Sequence, residues 1–192
     1  MTPRYIAKFK KAFQNPQVIP RYFKSRINSI PFVFGFNWAF SPHTIYIIIN
    51  SWCNARCLMC DIGLQNRKSQ FFKIMNRGVD FNIGKFQKLI SEVKSFKPEI
   101  AITSTEPLIY PHIIKAIKII KGAGLKSILT TNGFLLPEFS KQLCNARLDV
   151  LQVSVDGPSK IHNYIRGLPN MFEKIVRDQN YDGGKRKTDY SN

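Results

Sequence analysis

Four short runs of β-branched and other apolar residues recur along the chain, and each is followed by polar residues. The predicted strands cover residues 45–49, 99–103, 127–131 and 150–155. Apolar strands that alternate with amphipathic helices predict a parallel α/β sheet. Because ligand sites in such sheets form at the carboxyl ends of the strands, the polar residues after the four strands are expected to form one site.

The predicted helices follow from apolar residues at helical spacing. One has its apolar stripe between Phe86 and Phe96, with Asn82 as a candidate N-cap. Three more are predicted over residues 111 to 122 or 124, 137–147 and 170–177. The chain therefore divides into a basic, aromatic-rich arm (1–43) with an amphipathic helix at 2–14, the strand–helix region (44–177), and a polar tail (178–192). The tail has no aliphatic residue, which predicts disorder.

Basic residues are concentrated near the start of the chain. The net charge is +17, and residues 1–60 carry eight Lys and Arg with no Asp or Glu. We therefore expect the arm to contact an anionic membrane surface weakly. The protein is expected to be cytoplasmic or peripheral to the membrane. No zinc-finger, helix-turn-helix or RNA-binding signature accompanies the charge, so no specific nucleic-acid partner is predicted.

Three cysteines follow the first strand. Cys53, Cys57 and Cys60 form a C-x3-C-x2-C motif. Thiolates suit iron–sulfur clusters or zinc, and three of them would leave one iron of a 4Fe-4S cluster open. Arg56 is expected to lower the thiol pKa values. The alternative, a structural zinc site, needs a fourth ligand, for which the candidates are Cys144, His43 and His112. We interpret Cys144 as a buried core thiol.

The other strands end in Ser104-Thr105-Glu106-Pro107, Thr131-Asn132-Gly133 and Ser154-Val155-Asp156-Gly157. From the residues alone, Glu106 and Asp156 are alternatively helix-capping acids. The Thr131 segment is alternatively a plain turn, and Arg166 and His162 are alternatively exposed surface residues.

Together these motifs resemble those of the radical S-adenosylmethionine (radical SAM) superfamily. The cysteine motif resembles its cluster loop, and residues 104–107 resemble its Gly-Gly-Glu-Pro motif. Residues 130–133 resemble its T-T-N-G motif. Residues 154–158, followed by His162 and Ile165-Arg166-Gly167, resemble the D-G-P…H…R-G run of the branch with the molybdenum-cofactor cyclase and SPASM-type peptide maturases.

The resemblance implies a partial TIM-barrel-like (βα) barrel, with about four of six βα units, and a fixed chemistry. Cys53, Cys57 and Cys60 would bind a 4Fe-4S cluster, and S-adenosylmethionine would bind the open iron. A one-electron donor such as flavodoxin or ferredoxin would drive its cleavage to a 5′-deoxyadenosyl radical, which abstracts hydrogen from an unknown peptide or small-molecule substrate. The implied S-adenosylmethionine contacts are Glu106, Thr131, Asn132, Ser154, Asp156 and Arg166, and Met59 stands where the family has an aromatic residue near adenine. No residue is predicted to be catalytic in its own right.

Because four of six expected strands are present, we expect a truncated or split form that cleaves S-adenosylmethionine slowly or not at all. The alternatives are a non-catalytic iron–sulfur half-protein that needs a partner, and a structural zinc protein whose basic arm binds nucleic acid or membrane.

Overall fold

The computed structural model describes residues 27, 29–75, 77–103 and 105–179. The described residues before Thr44 form one unit and those from Thr44 onward form a second. In the first unit, residues 29–33 are helical. Alternate aromatic residues then form an exposed row, in which the rings of Phe34, Phe36, Trp38 and Phe40 are successive neighbours with centroids 6.1, 5.8 and 5.0 Å apart. The predicted helix at 2–14 lies outside the described residues.

The described residues of the second unit form a parallel sheet of four strands. They are β1 (Thr44–Ile48), β2 (Glu99–Thr103), β3 (Lys126–Thr131) and β4 (Val150–Val153). The strands lie in chain order, with Thr44 opposite Glu99 and Thr131 opposite Val153. Each predicted strand is present, and the α/β fold class with four strands of a partial barrel is confirmed.

Helices connect the strands. They are α1 (Gln70–Met75), α2 (Ile83–Val93), α3 (Ile113–Gly122), α4 (Leu136–Asn145), α5 (Ser159–Arg166) and α6 (Met171–Gln179), with single 3₁₀ turns at Lys94–Phe96 and Pro107–Ile109. The Asn82 side chain caps α2 by accepting hydrogen bonds from the Gly84 and Lys85 amides, as its sequence position predicts. Helix α6 extends through residues 178 and 179, which we had placed in the tail, and residues 180–192 lie outside the described part. Among the described helices, none combines the length and hydropathy that a membrane-crossing helix requires.

The two faces of the sheet have different surroundings. One face packs on α2, α3 and α4 and forms the core, in which Ile47, Ile102 and Leu129 are almost fully buried. Side chains alternate between the faces of a strand, so Tyr46 and Ile48 lie on the opposite face, where they are 73% and 52% exposed. We call this second face, which also carries Thr103, Thr130 and Gln152 by register, the open face.

Ion pairs close the amino end of the sheet. Lys126 Nζ lies 3.1 Å from Glu99 Oε1, and Lys121 Nζ lies 2.7 Å from both carboxylate oxygens of Asp149. Asp149 also accepts hydrogen bonds from the amide and hydroxyl of Ser127. Glu99 and Asp149 at this end therefore have partners within the fold.

Candidate functional site

The three cysteines lie in a loop that folds over the carboxyl end of the sheet, residues 53–63, which we call the cysteine loop. Two backbone hydrogen bonds attach it to the end of α5, from Arg56 N to Arg166 O (3.0 Å) and from Leu58 N to Ile165 O (2.8 Å). The Cys60 amide donates to the Cys57 carbonyl (3.1 Å), which turns the chain between these two thiols. The loop is therefore held by main-chain contacts as well as by its side chains.

Two glycines permit this close packing. A Cβ atom at Gly63 would overlap the backbone nitrogen and oxygen of Cys57. Gly167 has φ +66° at the left-handed end of α5, and a Cβ there would overlap the Arg56 carbonyl oxygen. In the sequence, Gly167 is noticeable only as part of the R-G motif, and no sequence signal points to Gly63.

Burial is the largest influence on the pKa of Cys53 and on that of Cys57. It raises the pKa of Cys53 to about 11, against a hydrogen bond from the Ala55 amide. It also raises the pKa of Cys57, which Arg166 partly offsets. Our expectation that Arg56 lowers these pKa values was wrong, because desolvation dominates and the cation beside Cys57 is Arg166. Cys144 was also wrongly predicted to be buried, since its side chain is exposed.

The cysteine loop fits a 4Fe-4S cluster. Cys53 is influenced electrostatically by both Cys57 and Cys60, so the three thiols share one neighbourhood. They are partly or fully buried, and three soft donors leave one iron without a protein ligand. Among the described residues, no three His, Cys, Asp or Glu side chains are close enough to hold a single metal ion. The zinc alternative would need a fourth ligand beside these three thiols.

Glu106 joins the ends of β2 and β3. Its side chain is completely buried, and Oε1 accepts hydrogen bonds from Leu108 N (3.0 Å) and Thr131 Oγ1 (2.7 Å). Oε2 accepts from Asn132 N (2.8 Å). Burial raises the pKa of Glu106, while these hydrogen bonds lower it. The bond to Leu108 N is the helix-capping contact considered as an alternative, and the other two are between strands.

The remaining residues of this edge extend the network towards the cysteine loop. Asn132 Nδ2 donates to Asn54 Oδ1 (2.8 Å), and the Glu106 amide donates to the Trp52 carbonyl (2.9 Å). The Thr105 hydroxyl also donates to the Trp52 carbonyl. Ser154 is half-buried, and its amide donates to the Thr131 carbonyl (3.0 Å). Ser104 lies outside the described residues. Three of the predicted contacts, Glu106, Thr131 and Asn132, thus form a buried frame around the site.

Asp156 and Arg166 form a bidentate ion pair between the end of β4 and α5. Arg166 Nε lies 2.5 Å from Asp156 Oδ2, and Nη2 lies 2.9 Å from Oδ1. Although burial lowers the pKa of Arg166, these hydrogen bonds raise it above its ordinary value. The third guanidinium nitrogen, Nη1, lies 3.9 Å from Cys57 Sγ. Arg166 is therefore not the surface residue that we considered as an alternative.

His162 is fully buried, contrary to the exposed position considered from sequence. Its Nδ1 accepts a hydrogen bond from the Asp156 amide (3.2 Å), and its ring contacts that of Phe172. Burial lowers the pKa of His162, against the attraction of Asp156. A polar residue on a short helix gave no sequence signal for this burial.

Comparisons with known proteins agree with this geometry. The radical SAM superfamily model matches residues 47–180. The chain is 30% identical over 139 residues to an AdoMet-dependent heme synthase of Methanosarcina barkeri, covering 71% of this chain and 38% of that protein. It is 34% identical over 116 residues to a GTP 3′,8-cyclase of Thermodesulfovibrio yellowstonii, covering 54% of this chain and 32% of the cyclase.

Solved structures agree on the fold. The crystal structure of Streptococcus suis SuiB has a TM-score of 0.60 at 16% identity and covers 90% of this chain and 41% of SuiB. SuiB bound to S-adenosylmethionine has a TM-score of 0.59 at 14% identity, with coverage of 90% of this chain and 41% of that chain. The chain thus spans about two fifths or less of the length of these relatives. The predicted cofactors, a 4Fe-4S cluster and S-adenosylmethionine, are those of the matched superfamily. The cysteine loop, the ordered strand-end motifs and the family match over most of the sheet together establish that this chain belongs to the radical SAM superfamily.

Proposed function

We propose that the chain binds a 4Fe-4S cluster through Cys53, Cys57 and Cys60 and uses it to cleave S-adenosylmethionine reductively. The observation that carries this proposal is the gathering of the three thiols at the carboxyl end of a parallel sheet. When bound, the cluster would pass one electron to the sulfonium, which breaks the sulfur–C5′ bond and yields methionine and a 5′-deoxyadenosyl radical. A flavodoxin- or ferredoxin-like protein would supply that electron.

The protein's part in this chemistry is to hold the cysteine loop and limit access of water. Cys57 is buried, and the buried Glu106 frame fixes the adjoining strand ends. Charged and hydrogen-bonding groups act more strongly in such a partly dry site than in water. Substitutions in the frame should therefore weaken the site without removing a cluster ligand.

For S-adenosylmethionine, we propose different roles for the six predicted contacts. Ser154 is half-buried at the end of β4 and remains a direct contact. Met59, which is exposed beside Cys60, would contact the adenine as an adaptable apolar group. Glu106, Thr131 and Asn132 act mainly as the frame, because their polar atoms bond to one another. Asp156 and Arg166 act as a pair next to Cys57.

The open face of the sheet is the proposed approach for the substrate, a peptide or a small molecule. Exposed Tyr46 and Ile48 of β1 give it apolar area, and on β3 and β4 of the same face the Thr130 hydroxyl donates a hydrogen bond to Gln152 Oε1 (2.9 Å). The heme synthase and cyclase relatives favour a small molecule, whereas SuiB has been crystallised with a precursor peptide.

The test is an anaerobic assay for 5′-deoxyadenosine with the reconstituted, reduced protein and S-adenosylmethionine. We expect slow formation by the native chain, because the open face admits water, and none by Cys57→Ala. No product from a native sample with an intact, reduced cluster would contradict the proposal and favour the iron–sulfur half-protein that needs a partner.

We propose further that the first unit contacts anionic membranes weakly. Residues 1–27 carry seven basic residues and no acidic ones, and the exposed aromatic row from Phe34 to Phe40 supplies side chains that favour the membrane interface. Co-sedimentation with liposomes containing phosphatidylserine should fall after deletion of residues 1–27. Unchanged co-sedimentation after this deletion would exclude the proposed role.

A further inference from the structure

Arg166 is the residue through which the end of β4 reaches the cysteine loop. Two of its guanidinium nitrogens hold the two carboxylate oxygens of Asp156, at 2.5 and 2.9 Å. The third, Nη1, donates a long hydrogen bond to Cys57 Sγ at 3.9 Å. One planar fork therefore spans an acid of the sheet edge and a thiol of the loop.

The orientation of this fork is fixed from several sides. His162 precedes Arg166 by one helical turn, so the two side chains lie on the same face of α5. Both bind Asp156: His162 Nδ1 accepts a hydrogen bond from the Asp156 amide, and the Arg166 guanidinium donates to its carboxylate. The Arg166 carbonyl accepts from the Arg56 amide in the cysteine loop. Arg166 is thus anchored at its main chain and at its side chain before it meets Cys57.

The surroundings shield this contact from water. The side chains of Arg166 and Asp156 are only 13% and 19% exposed, and Cys57 is buried. A charge-assisted hydrogen bond to a thiolate is stronger in such a place than at the surface. The potential of an iron–sulfur cluster depends on nearby charge and on hydrogen bonds to its cysteine sulfurs.

We propose that Arg166, oriented by Asp156, is a positioning residue that hydrogen-bonds the Cys57 sulfur, raises the reduction potential of the cluster and retains it. This assignment rests on the proposed cluster at Cys53, Cys57 and Cys60. It differs from a direct contact with the carboxylate of S-adenosylmethionine, because the fork is already engaged by Asp156 and Cys57. A positive donor beside the thiolate stabilises the more negative, reduced cluster.

The test is the midpoint potential of the reconstituted cluster, without S-adenosylmethionine, in the native chain and in Arg166→Gln. We expect a shift to more negative potential in Arg166→Gln and faster loss of iron to a chelator. Lys160→Gln, which removes one charge from an exposed position of the same helix, should match the native chain in both measurements. An unchanged potential in Arg166→Gln with full cluster content would overturn the inference.

A second variant keeps the test decisive if Arg166→Gln does not retain a cluster. Arg166→Lys preserves the charge but lacks the planar fork that engages two partners at once. We expect it to lose iron faster than the native chain does. If its potential and its rate of iron loss both equal those of the native chain, the bridging role is wrong. If the native chain itself binds no iron–sulfur cluster, the proposed function fails, which is a different result from either of these.

Discussion

Strand β4 carries an aspartate at each end, and the two differ in what their networks reach. Asp149, just before the strand, accepts hydrogen bonds from Lys121 of α3 and from both the amide and the hydroxyl of Ser127. Asp156, after the strand, forms an ion pair with Arg166 of α5, and the Nη1 atom of this arginine is directed at Cys57. Both are acid–cation pairs between the sheet and a helix. The first network ends within the fold, whereas the second continues to a candidate cluster ligand.

The amino end of the sheet therefore contributes mainly to stability, and the carboxyl end carries the candidate site. At the amino end, ion pairs and hydrogen bonds satisfy the groups that the strands leave there. At the carboxyl end, Glu106 similarly satisfies buried donors, but the thiols and the open face remain for ligands. Substitutions at the two ends should therefore change different measured quantities.

The largest effect is expected at the thiols. Replacing Cys53, Cys57 or Cys60 by Ala should abolish the iron–sulfur absorbance of the anaerobically reconstituted protein, because each removes one of three ligands. Cys144→Ala is the control, since this thiol is exposed on α4. Equal loss of absorbance from Cys144→Ala would show that the ligand assignment is wrong.

Next in size is Glu106→Ala, which should lower the free energy of unfolding by about 3–5 kcal/mol, because it leaves three buried donors without an acceptor. Glu99→Ala is the matched change at the amino end. It removes a partly exposed ion pair with Lys126 and should cost less than about 1 kcal/mol. Denaturant unfolding of the metal-free variants measures both. Similar losses from the two would remove the distinction between the ends of the sheet.

A smaller effect is expected at Gly167, with Gly124 as its control. Both have positive φ, at +66° and +71°, but a Cβ at Gly124 meets open space. Gly124→Ala should therefore cost about 1 kcal/mol from backbone strain. Gly167→Ala should cost roughly 1–3 kcal/mol more from overlap with Arg56, and it should also lower the iron content after reconstitution. Equal iron content in the two variants would show that packing of Gly167 against the cysteine loop does not affect cluster binding.

The smallest effect is a pH dependence of opposite sign at the two ends. Although burial raises the pKa of Asp149, its bonds to Lys121 and Ser127 lower it below 3.8, so its stabilisation is present above that pH and lost as the pH falls. Burial raises the pKa of Cys53 from 9.0 to about 11, so its contribution is present below pH 9.0 and lost as the pH rises towards about 11.

Unfolding midpoints of the metal-free protein across pH check this prediction. Asp149→Asn should flatten the acid side only, and Cys53→Ala the alkaline side only. A flattened alkaline side in Asp149→Asn would contradict the assignment of the two groups.

Apolar periodicity predicts the sheet well and part of the helical layer. The β-branched runs identify all four strands, and Asn82 identifies the start of α2. Helix α1 was not predicted, because six residues with only Phe72 and Met75 buried give no clear period. Helix α5 is anchored by His162 and Arg166, which are polar, so an apolar stripe cannot reveal it.

The candidate site divides in the same way. Spacing after a strand is sufficient to identify the three cysteines, because their grouping is local. The role of Glu106 depends on Thr131 and Asn132, which are 25 and 26 positions away, and sequence gives no indication of which groups an acid at a strand end will meet. The raised pKa values of Cys53 and Cys57 likewise depend on burial in the folded chain, and the cation that partly offsets it at Cys57 is Arg166, which is 109 positions away.

We propose above all that the carboxyl end of the sheet holds a 4Fe-4S cluster with one iron free for S-adenosylmethionine. The most direct measurement is the electron paramagnetic resonance spectrum of the reconstituted, reduced protein before and after addition of S-adenosylmethionine. We predict the signal of a reduced 4Fe-4S cluster whose g-values change when S-adenosylmethionine is added. A reduced cluster whose spectrum is unaffected by S-adenosylmethionine, or a protein that binds zinc and no cluster, would contradict it.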